Sequence, residues 1–209
     1  MINEKSIKDF KNPFDAISKF EELLADYTGA QYVITTDCCT HAIELCLRYE
    51  RSIEYIDHVE FTAYTYLSVP MTMHKLGINY ELLDEQWVGE YQFLGTRIWD
   101  SARRLERDMY KKSQLQCLSF GRTKPLEIGR GGAILLDDKE AYKNLIRMRY
   151  DGRDLGYIPW ENQKTFSLGF HYMMRPEECI VGINKLTNNE IDNNYTHKYP
   201  DLKGIKIVS

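Results

Sequence analysis

Lys124 is the residue around which chemistry can be organised in this chain. It stands in the segment Ser119-Phe120-Gly121-Arg122-Thr123-Lys124, and Gly129, Gly131 and Gly132 follow closely. Two apolar runs with strand character, Leu115–Phe120 and Ala133–Leu136, flank it, so the lysine is expected on a loop at a strand end. Glycines in such a loop let backbone approach a ligand closely. Ser119, on the same segment, can hold a phosphate. A fixed lysine beside an anion site is what a cofactor bound as a Schiff base requires.

Three further segments carry residues of matching chemistry. Thr36-Asp37-Cys38-Cys39-Thr40 lies between a predicted strand and a predicted helix. Free backbone N–H groups and the positive helix end make that turn a phosphate seat; alternatively, Thr40 is an ordinary N-cap. Asp100 ends the run Arg97-Ile98-Trp99, where ligands of open α/β sheets gather. A carboxylate there can pair with a pyridinium nitrogen, or it can simply cap a helix over Ser101–Tyr110. Tyr66 can stack on a planar ring, or join Tyr64 and Leu67 in the core. Pyridoxal phosphate combines an aldehyde, a pyridine and a phosphate, and would use all three positions.

The elements that must position these residues alternate along the chain. Asn12-Pro13 opens a helix with Phe14, Ile17, Phe20, Leu23, Leu24 and Tyr27 at spacings of three and four, closed by Gly29. Strands are expected at Tyr32–Thr35, Val59–Phe61, Tyr80–Leu83, Arg97–Trp99, Leu115–Phe120 and Ala133–Leu136. Helices are expected at Thr40–Arg51, Tyr66–Leu76, Lys139–Tyr150 and Pro176–Leu186. This alternation predicts an α/β fold, a mostly parallel sheet flanked by helices. Asp151–Gly169 is polar and aromatic without clear periodicity, which suits a functional loop or docking arm. Gly204–Val208 is at most an edge strand.

Composition narrows the function classes. A net charge of -4 and the lack of any Lys/Arg run leave no electrostatic footprint for nucleic acid or an anionic membrane. The polar N-terminus carries no signal-peptide core, so a cytoplasmic location is expected. Five cysteines, with Cys38 and Cys39 adjacent and no C-x-x-C, argue against a disulfide framework or structural zinc. No metal site is expected.

Taken in order, these segments resemble the pyridoxal-phosphate-dependent sugar aminotransferases of the DegT/StrS group, within aspartate-aminotransferase fold type I. The resemblance runs from about Phe14 to Leu186. Cys38-Cys39-Thr40-His41-Ala42 stands where the family has Ser-Gly-Thr-x-Ala, and Thr65-Tyr66-Leu67-Ser68 is similar to its Thr-aromatic-x-Ser. Trp99-Asp100-Ser101-Ala102 resembles Asp-Ala-Ala, and Ser119-Phe120 with Lys124 and Gly131-Gly132 resembles the Schiff-base segment. Gly169-Phe170-His171-Tyr172-Met173-Met174-Arg175 is similar to Gly-Phe-Asn-Tyr-Arg-Met.

The resemblance implies that Lys124 binds the cofactor covalently and moves the proton. It implies that Asp100 meets the ring nitrogen, Tyr66 stacks on the ring, and Thr40, Cys39 and Ser119 surround the phosphate. It further implies amino transfer, usually from glutamate, to a nucleotide-linked keto sugar. Sites of this family form in a homodimer, where His171 would reach the neighbouring subunit's phosphate in place of Asn. Cys39 replaces a family glycine, which would lengthen or reshape the phosphate contact. Arg103, where the family has Gln or His, would favour ionised Asp100 or reach phosphate itself. Arg122 and Arg130 would meet a diphosphate or stay solvated. The family continues into a smaller second domain, so 1–186 reads as the large domain and 187–209 as a short tail, a remnant of that second domain. That shortening leaves a second reading open: a non-catalytic, cofactor-binding homologue acting as a partner subunit. The family's sugar dehydratases would need histidine at position 124.

Overall fold

The computed structural model describes residues 4–154, 159–193 and 198–208. Among the described residues there are five α-helices: α1 Asp15–Thr28, α2 Cys39–Ile53, α3 Ser68–Leu76, α4 Lys139–Arg149 and α5 Pro176–Thr187. Seven strands accompany them: β1 Tyr32–Thr36, β2 His58–Thr62, β3 Asn79–Leu83, β4 Tyr91–Gln92, β5 Ile98–Asp100, β6 Leu115–Ser119 and β7 Gly132–Leu136.

β1, β7, β6, β5 and β4 form one sheet in that order, and β2 pairs with β3 beside it. The expectation of a mostly parallel sheet needs correction in its detail. β1, β5 and β6 share a direction, whereas β7 runs against β1 and β6, and β4 runs against β5. Connection length is the reason: 120–131 joins β6 to β7 without a crossover helix, and a parallel neighbour would need one.

Strand side chains alternate between two cores, as a period of two requires. Ile34, Ile134 and Leu136 enter the layer formed with α2, α3 and α4, while Val33, Ala133 and Leu135 face α1 and α5. Burial on both faces explains why β7 reads as an unbroken apolar run. The cysteines behave as small core or cavity residues and are all free thiols.

Helix ends follow local chemistry. Gly29 and Gly77 close α1 and α3 in left-handed conformations, with φ of 77° and 63°. α1 begins later than expected, because Asn12 Oδ1 accepts from the Phe14 N–H at 3.1 Å and holds a turn there. α3 likewise starts at Ser68, leaving Tyr66 outside the helix. No helix follows Asp100; residues 101–114 are turns and irregular backbone. No strand forms at Gly204–Val208. A buried Glu21 carboxylate accepts from the Thr35 N–H and hydroxyl, each at 2.8 Å, and from Arg149. That cluster locks α1 and α4 onto the end of β1 just before the cavity described next. Among the described residues no helix is long and apolar enough to cross a membrane.

Candidate active site

The carboxyl ends of β1, β5 and β6 lie at one edge of the sheet because those strands run the same way. Register fixes the row: Thr36 and Ser119 both pair with Gly132, and Asp100 pairs with Cys117. Above this row is a cavity of about 380 Å³, within the usual range for small-molecule sites. Cys39, Thr40, Tyr66, Asp100, Ser119 and Lys124 all line it, together with Ser68, Arg122, Arg130 and Tyr199. Eight of the ten residues singled out from sequence, Arg122 and Arg130 included, therefore line one space.

Asp100 sits at its floor, 5 % exposed. Its Oδ1 accepts from the Ala102 N–H at 2.9 Å and its Oδ2 from the Tyr91 hydroxyl at 2.8 Å. The Ala102 bond is a local turn, not a helix cap. Burial raises the Asp100 pKa above the ordinary carboxylate value, opposed by the Lys124 charge and by these two donors. Tyr91, itself buried, is pushed up by burial and then by the Asp100 charge, so it remains a donor. Thr65 Oγ1 stands 2.6 Å from the Tyr91 oxygen and completes a chain of hydroxyls behind the carboxylate. Sequence reading missed Tyr91, because β4 is a two-residue strand with too little length for periodicity to register.

Lys124 rides on a closed loop. The N–H groups of Ile128 and Gly129 both reach the Phe120 carbonyl at 3.0 Å, and Leu126 is wholly buried in the core beneath. Thr123, directly before the lysine, has φ of 67°, an uncommon conformation for a β-branched residue. Arg103, 4 % exposed, donates from Nη1 to the Thr123 carbonyl at 2.6 Å and clamps that turn. This corrects the role expected for Arg103. It does not line the cavity, and the cation that opposes protonation of Asp100 is Lys124. Lys124 Nζ donates to the Tyr199 hydroxyl at 2.7 Å, a partner that sequence reading did not identify.

Opposite, α2 presents its N-terminus. Cys38 is the N-cap and its side chain makes no capping bond, so the first-turn N–H groups are open to an anion. Thr40 is therefore not the cap; its Oγ1 bonds Ser68 Oγ at 2.7 Å. Cys39, in place of the family glycine, is accommodated from the other side. A Cβ on Gly132 would fall 2.5 Å from the Cys39 nitrogen, so the close approach is supplied by Gly132. Desolvation and the Asp100 charge push the Cys39 thiol pKa well up, which leaves it a neutral wall.

Asp37 lies beside the same helix end and bonds His41 Nδ1 at 2.6 Å and Arg130 Nη2 at 2.9 Å. Burial works against both charges, but the pairing prevails: Asp37 is lowered, and His41 is raised to about 9. Arg130 thus takes part in an ion pair at the cavity rim while most of its side chain stays exposed to solvent.

His171 lies away from the cavity. It is exposed and bonds the Asp151 carboxylate at 3.1 Å through Nδ1. Tyr66 offers an exposed ring at the cavity mouth, 63 % accessible.

This arrangement matches known structures in fold. NtdA from Bacillus subtilis, solved with bound cofactor PMP, superposes with a TM-score of 0.71 at 20 % identity, over 84 % of this chain and 48 % of that one. DesI in the presence of its TDP-sugar product gives 0.65 at 16 % identity, over 83 % and 53 %. A mutant GDP-4-keto-6-deoxymannose-3-dehydratase with bound GDP-perosamine gives 0.65 at 14 % identity, over 83 % and 61 %. This chain thus spans about half to three fifths of the length of these neighbours. No curated protein matches in sequence. The family model for DegT/DnrJ/EryC1/StrS aminotransferases matches residues 6–86 and 101–199, which include the helix end, the Lys124 loop and Tyr199. The chain belongs to the DegT/DnrJ/EryC1/StrS aminotransferase family.

Proposed function

We propose that this chain binds pyridoxal phosphate and transfers an amino group from an amino acid, glutamate in this reading, to a nucleotide-linked keto sugar. One observation carries the reading: Lys124, a buried carboxylate and an uncapped helix N-terminus face the same cavity. The residues fit the cofactor. Asp100 keeps lone pairs beyond those engaged by Tyr91 and Ala102, and so can accept a pyridinium N–H. The α2 N–H groups, with Thr40 and Ser119, suit a phosphate. The Tyr66 ring is available to cover a planar face.

Pyridoxal phosphate, when bound, supplies an aldehyde that condenses with amines and a ring that withdraws electrons from the adjoining carbon. The protein supplies the rest. Asp100 holds a proton at the ring nitrogen, and Tyr91 and Thr65 hold Asp100 in place. Lys124 Nζ would move the proton of the 1,3-shift, taking it from one carbon and returning it to the carbon across the nitrogen, as general base and then acid. Arg103 and the strained Thr123 turn aim that amine. Arg122 and Arg130, at the rim, suit the diphosphate of a nucleotide-linked acceptor.

The relatives' bound TDP-sugar and GDP-sugar support that acceptor class. Lysine at position 124 favours amino transfer over sugar dehydration. The convergence of Lys124, Asp100, Thr40 and Ser119 also favours turnover over the non-catalytic reading. We further place the protein in the cytoplasm as a homodimer. The exposed Trp160, Phe166 and Leu168 of the 159–169 arm suit a second subunit, and His171 would then reach its phosphate site. Residues 1–186 would form the large domain.

Purified protein mixed with pyridoxal phosphate should develop the visible band of a lysine-bound cofactor, and Lys124→Ala should abolish it. Glutamate should then shift the spectrum to the amine form of the cofactor. A cofactor band that no amino donor alters would sink the transferase reading. For the dimer, light scattering should show a mass that rises with concentration; a strict monomer that still turns over would refute the shared site.

A further inference from the structure

The described parts of the C-terminal segment do not hang free; they stitch together the loops that build the cavity. Asn193 exchanges two hydrogen bonds with the backbone of Leu105, at 2.9 and 2.8 Å, beyond Asp100. The Asp192 N–H reaches the Pro125 carbonyl at 2.9 Å, next to Lys124. Leu202 is buried, and its N–H reaches the Ala63 carbonyl at 3.0 Å, on the stretch leading to Tyr66. Lys203 pairs with Asp84 at 3.0 Å. Between these anchors stands Tyr199. Its ring stacks on Trp87 at 5.9 Å and meets Tyr66 edge-on at 6.4 Å. Its hydroxyl accepts from Lys124 Nζ at 2.7 Å.

We propose that Tyr199 is a positioning residue for Lys124: the stacked ring holds its hydroxyl where it orients the free amine toward the cofactor's aldehyde. This rests on the functional reading above. Tyr199 is a wall of the cavity and not a plug, because about 380 Å³ remains open with the ring in place. Lys124 is otherwise a long side chain with several free torsions, and an unguided amine spends much of its time pointing elsewhere. An amine that donates one N–H to the Tyr199 oxygen keeps its lone pair and its second N–H, so the contact does not block the nitrogen from reaching an aldehyde carbon.

Tyr199→Phe removes the hydroxyl and keeps the ring on Trp87. Two measurements test it. In the cofactor-free protein labelled with ¹⁵N-lysine, the wild type should show a protected side-chain ammonium resonance for Lys124, absent in the variant. In the second, pyridoxal phosphate is added, the adduct is reduced with borohydride at timed intervals, and labelling at Lys124 is read by mass spectrometry. Capture at Lys124 should slow roughly 10–100-fold in the variant, the scale of one charge-assisted hydrogen bond. The melting temperature and the hydrogen-exchange protection of the Leu202 amide should stay at wild-type values. Capture at the wild-type rate, or an unchanged Lys124 resonance, overturns the proposal. So does a variant that loses Leu202 protection together with capture, since the hydroxyl would then serve folding. A wild type that captures no cofactor at all sinks the functional reading and this role with it; failure of Tyr199→Phe to differ sinks this role alone.

Discussion

Replacing Gly132 by alanine should damage the phosphate seat without touching a cavity side chain. An added Cβ would lie 2.5 Å from the Cys39 nitrogen, 2.7 Å from the Cys38 carbonyl carbon and 2.8 Å from the Cys39 Cα. Comfortable contact begins near ~3.5 Å, so the two backbones must part by about 0.7–1 Å. β7 cannot yield, because β1 and β6 hold it on both sides. The first turn of α2 has to move instead, and its open N–H groups move with it. Overpacking of this kind costs about 1–3 kcal/mol, or ~2–12 °C in melting temperature for a chain of this size. A displacement near 1 Å at a site can cost about a hundredfold in function. The assay is a paired titration with pyridoxal phosphate and with pyridoxal, which lacks the phosphate. Wild type should prefer the phosphorylated form strongly, and Gly132→Ala should lose most of that preference. An equal loss for both ligands, or no loss, would refute the placement of the phosphate at the α2 N-terminus.

Two further outcomes follow from the charges at the site. Burial raises the Asp100 pKa in the folded chain, so the folded state releases its proton at higher pH than the unfolded one. Stability is therefore lost as pH rises from the unfolded value through the folded one, and ionised Asp100 is a burden at neutral pH. Asp100→Asn should accordingly lose the fall in melting temperature that accompanies this rise in pH, while its response to glutamate collapses; a pH profile of stability unchanged from wild type would contradict the account of Asp100. His41 behaves in the opposite sense, being raised from 6.5 to about 9 by Asp37 despite burial. Its contribution is complete below the unfolded value and is lost as pH climbs through about 9. An NMR titration should find His41 still protonated at pH 8, and a midpoint below 7 would dismiss the Asp37 pairing.

Much of this architecture was legible in the chain. The helices α1, α2, α4 and α5 follow from apolar spacing, with a glycine stop at the end of α1, and β6 and β7 from apolar runs buried on two faces. The short pieces were not legible. β4 is too brief for any periodicity, and Tyr91, the donor behind Asp100, lies on it. The apparent helix after Asp100 did not form: residues 101–114 are turns and irregular backbone, and the Leu105 backbone is held by the side chain of the distant Asn193.

Residue types and order alone determined which chemistry this protein can hold: an amine on a glycine-flanked loop, a carboxylate at a strand end, and a hydroxyl-rich turn before a helix. Those are local properties, set by bonding capacity and backbone freedom. Tertiary structure decided which groups meet. It turned Arg103 away from Asp100 to brace Thr123, kept His171 outside the cavity, assigned the close backbone approach to Gly132, and brought Tyr199 back to Lys124 across the whole fold. Contacts between residues distant in sequence depend on sheet register and on how loops close over it, and no local pattern encodes either.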